Sequence, residues 1–440
     1  MRHSCWFAAL CLSSACLAQT ATAPQPGIPA TAPVLNLTLR DALLRARQYG
    51  QQFLQANIAA LLARENAVQA RAALFPTVNG LSQFIYTQPN GTPSGIFVSN
   101  DGPRVYNDQA LVHGDIWAPA KRADYRGALA AEAVARAKAD VAMRGLFATV
   151  AQNFYAMAVA ERKIANARQA LKEAQDFTDI TMKLEQGGEA AHADVIKAQI
   201  QLEQRQRDLQ DALLNYDKAR YAFAVLLFSD FRQDFTVVDD LETRQPLPPF
   251  PEVQRLAGTN NPDIRAAQAT VQQQQSAISS ARWAMFPTLS FDYFFGINAN
   301  QFAIHNHEGQ NLLGSVAQAQ LNVPIWTWGA ARSRVRQAEL QLQQAQYDLS
   351  FTQRQLLAEL QSFYAEAQVA AAQVDSLRRS EQQSAESLRL TLLRYQAGDV
   401  TVLEVVDAQS TLTQARNAYD DGLVRFRLAL ANLQTLTGVF

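Results

Sequence analysis

Glu404 and Asp407 are the acidic side chains whose spacing first suggests a chemical role. They lie three residues apart in the stretch RYQAGDVTVLEVVDAQSTL, residues 394–412, shortly after Gly398. Residues at positions i and i+3 share one face of a helix, so the spacing predicts two neighbouring carboxylates. In a narrow passage, side chains of one sign concentrate ions of the opposite sign, so this pair would attract cations. A structural alternative stays open, because the helix dipole stabilises acids in the first turns of any helix.

The sequence contains no motif typical of catalysis. No nucleophile elbow, phosphate-binding loop or metal-ligand spacing occurs in it, so we expect neither enzymatic activity nor a cofactor or metal. His305 and His307, in HNHEG, could contact a metal, but a polar loop between strands is the preferred interpretation. The formal net charge of -1 argues against a nucleic-acid partner.

The N-terminal residues have the composition of a secretory leader. A basic start is followed by the apolar stretch CWFAALCLSSACLA, which contains all three cysteines of the chain, Cys5, Cys11 and Cys16. We therefore predict a signal peptide over residues 1–18 and an exported mature chain without cysteine. Cleavage just before Cys16 is the alternative, and it would make Cys16 a lipid anchor. No uncharged apolar run of about 18 residues follows, so a membrane crossing would have to use strands.

The chain repeats itself at an interval of about 210 residues, which indicates two tandem copies of one unit. ARAALFPTV at 70–78 recurs as ARWAMFPTL at 281–289, and FYAMAVA recurs later as FYAEAQVA. We place the two copies at residues 37–230 and 252–438. The segment between them, residues 231–251, is rich in proline at its end and is predicted to be a linker.

Each copy has the same order of predicted elements. A shorter helix, at 39–74 or 252–285, stops at a Phe-Pro pair, because proline removes a backbone donor. Two strands follow, and then a long helical hairpin with a glycine break at its tip. The strands are predicted at 77–87, 105–117, 288–299 and 312–326. The hairpins are predicted at 119–228 and 328–437. Helices of this length cannot fold over one compact core, so we expect coiled-coil packing.

The predicted strands alternate apolar and polar residues. In LSFDYFFGINA, residues 289–299, the odd positions are apolar, while the even positions include Ser290, Asp292 and Asn298. Strands of about ten residues with one apolar and one polar face are typical of a transmembrane barrel. The edge of a β-sandwich shows the same alternation, so that interpretation stays open at this point.

The number of strands predicts an oligomer. Four strands per chain cannot close a barrel, and open edges in lipid would leave backbone groups unpaired. A barrel of about eight strands is filled by its own side chains, whereas three chains would supply twelve strands and leave a lumen. The predicted fold class is therefore mixed α and transmembrane β. A homotrimer would form a twelve-stranded β-barrel in lipid, continued by a long α-helical coiled-coil barrel.

With these features the chain resembles the outer-membrane factors, the TolC-like family of trimeric exit ducts. The resemblance covers both copies, and its most specific residues are RYQAGDVTVLEVVDAQSTLTQARNAY, the two FPT strand starts and NNPDIRAAQATV. It implies a passive outer-membrane channel with a long periplasmic extension, the exit duct of a tripartite efflux pump or a type I secretion system. It also implies two partners, a periplasmic adaptor and an inner-membrane transporter. A periplasmic coiled-coil adaptor or scaffold without a barrel is the alternative, but it would not need aromatic strand faces.

The resemblance also implies roles for residues at the hairpin tips. Gly187, Gly188 and Gly398 would form the periplasmic tips and contact the adaptor. Glu404 and Asp407 match acids that line the closed mouth in the family. Threefold symmetry would turn them into two stacked rings of carboxylates that set selectivity.

Two further residues match contacts that close the family's channels. Asp194 corresponds to an acid of the first hairpin. Tyr395 corresponds to a tyrosine that, in the family, contacts this acid and so ties the two hairpins together. The family often has an arginine just after the second tip glycine, where this chain has Asp399 and Val400. We therefore expect this mouth to close with fewer ties or with different ones.

Overall fold

A computed structural model of the chain describes residues 35–86, 104–243 and 245–438. The predicted signal peptide, residues 1–18, lies outside these ranges, and so does Cys16. The loop between the first two strands lies outside them as well.

The described ranges contain eight helices and six strands. The helices are α1 (Leu39–Tyr49), α2 (Gln51–Ala72), α3 (Pro119–Gln186), α4 (His192–Leu227), α5 (Phe250–Asn260), α6 (Pro262–Trp283), α7 (Ala330–Gln396) and α8 (Val402–Thr437). The strands are β1 (Leu35–Leu37), β2 (Thr77–Tyr86), β3 (Arg104–Trp117), β4 (Phe235–Val237), β5 (Thr288–Ala299) and β6 (Leu313–Asn322).

The opening helix of the first copy is divided in two, whereas the sequence pattern predicts one helix. The break lies at Gly50, between α1 and α2. A Cβ atom added at Gly50 would lie 2.6 Å from the carbonyl oxygen of Ala46 and 2.7 Å from a methyl group of Leu146. Only glycine allows this close approach, and the sequence alone shows no sign of it.

The opening helix of the second copy is also divided, at Asn261. Its side chain caps α6 by accepting hydrogen bonds from the backbone N–H groups of Asp263 and Ile264, at 2.9 and 3.2 Å. Its amide nitrogen donates to the carbonyl oxygen of Leu436 at 3.1 Å. Pro262 follows in the first helical position, where its missing N–H costs nothing. Asn261 thus starts one helix and ties it to the end of α8.

Two other predicted boundaries differ from the structure. The predicted linker, residues 231–251, contains β4, which pairs in parallel with β1. These strands have three residues each, too few to show an alternating pattern. The second strand of the second copy ends at Asn322 instead of residue 326, because Pro324 cannot donate a hydrogen bond to a neighbouring strand.

Four strands form an antiparallel sheet in the order β2-β3-β5-β6, so the two copies pair through β3 and β5. The register places the apolar residues of the alternating strands on one face of the sheet. That face carries Phe84, Tyr106, Phe291, Tyr293 and Phe295. The opposite face carries Gln83, Asn107, His113, Asp292 and Gln318. Among the described residues, β2 and β6 each have one unpaired edge.

The two longest helices, α3 and α7, run most of the length of the molecule. They contain 68 and 67 residues, which corresponds to about 100 Å each at 1.5 Å per residue. α3 packs against α2, α4, α6 and α8, and α7 packs against α6 and α8. The largest buried cluster surrounds Phe154, Phe223 and Phe235, where α1, α4, α8 and the β1–β4 pair meet the middle of α3. Within the described ranges, none of the helices has both the length and the apolar character that a membrane crossing requires.

Candidate functional site

The candidate site lies at the tips of the two helical hairpins, which have the same backbone geometry. α3 turns into α4 through Gly187 and Gly188, and α7 turns into α8 through Gly398. Gly188 and Gly398 have φ angles of 77° and 80°, in the left-handed region that glycine adopts most easily. In both turns the N–H of the next residue, Glu189 or Asp399, bonds to the carbonyl oxygen five positions earlier, at 2.8 and 2.9 Å. These glycines therefore end the helices and reverse the chain.

An apolar cluster joins the two hairpins just above the tips. The buried side chains are Phe177, Ala198, Leu388, Tyr395, Val402, Val405, Ala408 and Leu412. The rings of Phe177 and Tyr395 pack edge to face, with their centroids 5.2 Å apart. Because α3 and α8 contact each other here, the hairpins lie side by side and present their remaining faces outward.

Glu404 and Asp407 lie on the outward face of α8, opposite the buried Val402 and Val405, and both are exposed. Glu404 has a structural role: its carboxylate accepts hydrogen bonds from the backbone N–H and the hydroxyl of Thr401, at 3.3 and 3.4 Å. This is a capping box, so the structural alternative accounts for Glu404. Asp407 has no hydrogen bond or ion pair with any residue that the structure describes. Both carboxylates are thus exposed on the outer surface of the subunit.

The structure does not join Asp194 to Tyr395. Asp194 lies in the first turn of α4 and pairs with Lys197 at 3.8 Å. The hydroxyl of Tyr395 is buried, and no described residue is its hydrogen-bond partner. The closing contact between the two residues therefore stays a prediction.

A charged network that the sequence patterns did not predict lies in the middle of the molecule. Arg162 of α3 pairs with Asp239, with Glu242 at 3.2 Å and with Asp420 of α8 at 3.2 Å. Burial raises the pKa of Asp420, although its hydrogen bonds with Asn166 and Arg162 oppose the change. These contacts hold α3, α8 and the segment after β4 together.

A second buried charge, Arg427, lies about two turns further along the same stripe of α8. Asp420, Leu423, Arg427 and Leu430 are all buried, and their spacing of three and four residues marks one helix face. In the sequence, charged residues at core positions of this amphipathic pattern could have revealed both Asp420 and Arg427. Among the described residues, no group of three or more His, Cys, Asp or Glu side chains could hold a metal ion.

Comparison with known proteins agrees with this architecture. The family profile described as outer membrane efflux protein matches residues 42–227 and 254–439. The chain is 27% identical to outer membrane protein OprJ of Pseudomonas aeruginosa, over 69% of this chain and 63% of that protein. It is 24% identical to the cobalt-zinc-cadmium resistance protein CzcC of Cupriavidus metallidurans, over 62% of each chain. The match thus spans less than two thirds of the length of these curated relatives.

Solved structures show the same fold at lower identity. The outer membrane channel CmeC of Campylobacter jejuni superposes with a TM-score of 0.79 at 17% identity, covering 91% of this chain and 86% of that one. The open state of the MtrE outer membrane channel of Neisseria gonorrhoeae gives 0.76 at 21% identity, covering 91% and 88%. The resemblance inferred from the sequence is confirmed. The chain belongs to the outer membrane efflux protein family, and it lies in the outer membrane with a helical extension in the periplasm.

Proposed function

We propose that the chain is one subunit of a homotrimeric outer-membrane duct, a passive conduit through which an inner-membrane transporter expels its substrate. The observation that carries this proposal is the four-stranded sheet with one aromatic face and two unpaired edges. An apolar strand face suits lipid, but open edges do not, because each unpaired backbone group in hydrocarbon costs several kcal/mol. Pairing β6 of one subunit with β2 of the next would remove all edges, and three subunits would close a twelve-stranded barrel with a lumen.

The helices support the same assembly. α2 exposes Ile58, Leu61 and Leu62, and α7 exposes Tyr347 and Phe351, the last two at 64% and 60%. These helices form opposite borders of the row α2-α3-α6-α7, because α3 contacts α6 and α6 contacts α7. A contact between the α7 border of one subunit and the α2 border of the next would bury both apolar sets. Such a head-to-tail contact closes into a ring when the rotation between subunits allows it.

The partners and the mouth of the duct belong to the proposal as well. A periplasmic adaptor would contact the tips at Gly187, Gly188 and Gly398. In the trimer, Glu404 and Asp407 would form two rings of three carboxylates at the closed mouth. These rings would admit cations in preference to anions and bind multivalent cations.

The assembly is tested with the full chain purified from membranes. We expect a trimer by native mass spectrometry and stepwise conductance in planar lipid bilayers. Phe351→Glu places a charge in the proposed subunit contact and should abolish the trimer. Gln353→Glu adds the same charge at an exposed position on another side of α7 and should leave the trimer intact. A stable water-soluble monomer without detergent would refute the duct and favour the adaptor function.

The carboxylate rings are tested by charge removal that spares the helix cap. Glu404→Gln keeps an oxygen that can accept from Thr401, so any effect on conductance arises from charge. A pair of unit charges about 4 Å apart in water is worth about 1 kcal/mol. Removing three carboxylates should therefore weaken block by a trivalent cation such as hexamminecobalt at least about tenfold. The double variant with Asp407→Asn should weaken block further, and unchanged block in both variants would exclude the rings.

A further inference from the structure

A cleft of about 690 Å³ lies between α1, α3, α8 and the segment that follows β4. It is far from the hairpin tips and beside the largest buried cluster, and its lining is mixed: apolar side chains alternate with charged, amide and hydroxyl groups. Leu39, Leu43 and Leu44 of α1 form one side, and Leu430 of α8 contributes to the other. Clefts of this size with apolar walls and a few polar groups are typical of sites for small organic ligands.

One of the residues that line this cleft is a buried arginine whose hydrogen bonds are incomplete. Arg427 is 2% exposed, and its Nη2 atom donates to the backbone oxygen of Asp240 and lies 3.4 Å from that residue's carboxylate. Its Nε and Nη1 atoms have no acceptor among the described residues. The Oδ1 atom of Asp240 has no partner there either. Buried polar atoms are nearly always paired, so two nitrogens of this guanidinium lack the acceptors that buried donors normally have.

The balance of charge in the cleft is positive. Arg40 and Arg47, both on α1, line the cleft together with Arg427. Asp240 is the one carboxylate among the described residues that line it. Burial, with a smaller contribution from Asp240, raises the pKa of Tyr155 to about 12, so this phenol stays neutral. The neutral hydroxyl can donate a hydrogen bond and adds no negative charge.

We propose that this cleft binds an organic carboxylate with an apolar body. The carboxylate would accept hydrogen bonds from Arg427, and the apolar part would lie against the leucines of α1 and α8. A planar guanidinium and a planar carboxylate match in shape, and such charge-assisted hydrogen bonds are stronger than neutral ones. The carboxylate of Asp240 lies beside the site and disfavours a ligand with two negative charges there, so a monoanion fits better than a phosphate monoester.

The probe for this site is 2-naphthoate, a soluble monoanion with an apolar ring system. Binding is measured by isothermal titration calorimetry on the full-length assembled protein in amphipol, which avoids detergent micelles. We expect saturable binding to the wild-type protein and weak or no binding of the neutral analogue 2-naphthol. Arg427→Met should weaken naphthoate binding about 10- to 100-fold, since hydrogen bonds to a charged group are lost.

A second variant keeps the test independent of folding. Arg40→Gln combined with Arg47→Gln changes two exposed side chains and should weaken binding several-fold, with a smaller salt dependence. Arg71→Gln, the same change on an exposed arginine at the end of α2, should leave the affinity unchanged. Three results would overturn the proposal: no saturable binding, equal affinity for 2-naphthol, or tighter binding of 2-naphthyl phosphate than of 2-naphthoate. Unchanged affinity in the Arg40→Gln, Arg47→Gln variant would overturn it as well.

Discussion

Gly296 of β5 provides a sharp test of the sheet that the proposed barrel depends on. It pairs with Gln109 of β3 on one side and with Gly314 of β6 on the other. A Cβ atom added at Gly296 would lie 2.2 Å from the carbonyl oxygen of Asp108 and 2.7 Å from the Cα atom of Gln109. Both obstacles are backbone atoms, so no side-chain rotation relieves the overlap. Because ordinary contacts between non-bonded heavy atoms start near 3.5 Å, β3 and β5 would have to separate by roughly 1 Å at this point.

The cost of Gly296→Ala follows from the hydrogen bonds that such a separation breaks. One or two ladder bonds between β3 and β5 would lengthen beyond their normal range, at about 1 kcal/mol each. Burial of their freed N–H and carbonyl groups in lipid adds to this, so we expect about 2–4 kcal/mol per subunit. Gly314→Ala is the matched control, because a Cβ atom at Gly314 meets nothing within 4 Å. It should be neutral or slightly stabilising, by up to about 1 kcal/mol.

Thermal unfolding of the purified protein, followed by circular dichroism, measures the difference between the two alanine variants. We expect Gly296→Ala to lower the midpoint by roughly 2–5 °C and to reduce the yield from the outer membrane, whereas Gly314→Ala should match the wild type. Equal midpoints for the two variants would show that β3 and β5 do not pair in this register in the membrane.

Three further predictions concern residues of the helical part. Asn261→Ala removes a helix cap and a buried hydrogen bond, so amide hydrogen exchange should show that the free energy of local opening of α6 falls by about 2–4 kcal/mol. Asn261→Asp keeps the cap acceptor and should lose less of this protection. Equal protection in the wild type and both variants would contradict the prediction. In the proposed trimer, Tyr395→Phe should raise the open probability about tenfold, because a buried hydroxyl without a partner among the described residues of its own chain needs one in the closed state. Unchanged gating would exclude such a tie. Burial raises the pKa of Asp420 above its ordinary value of 3.8, so the protonated carboxyl stabilises the folded state. This contribution to stability is complete below pH 3.8 and is lost as the pH rises through the pKa that Asp420 has in the folded state. The melting temperature of the wild type should accordingly fall relative to that of Asp420→Asn as the pH rises above about 4, and parallel curves would contradict the assignment.

Local rules of sequence account for much of this architecture. The sequence predicts a helical hairpin over 119–228 with a glycine break, and α3 and α4 occupy Pro119–Gln186 and His192–Leu227. Apolar residues at helical spacing and the absence of internal proline are properties of a short window of sequence, so they require no knowledge of distant contacts. The tip glycines could be predicted for the same reason, because a helix that ends in a left-handed residue favours glycine whatever surrounds it.

Other features depend on contacts between distant segments, and these could not be predicted. The break at Gly50 is set by Leu146, which lies almost a hundred positions later in the chain. The cap at Asn261 depends partly on Leu436, at the end of the last helix. Periodicity shows that a helix has a buried face, but it does not show which residue of another helix that face will meet.

Sequence patterns are enough to predict the duplicated plan of the chain, the long helices, the alternating strands and the glycine turns. Three features emerge only when the chain folds: the pairing of β1 with β4, the register that gathers the aromatic residues on one sheet face, and the contact of Arg427 with Asp240. The physical reason is the range of the interactions. Backbone conformation responds to neighbouring residues, whereas the partner of a buried charge or a strand edge is fixed only when remote segments pack together.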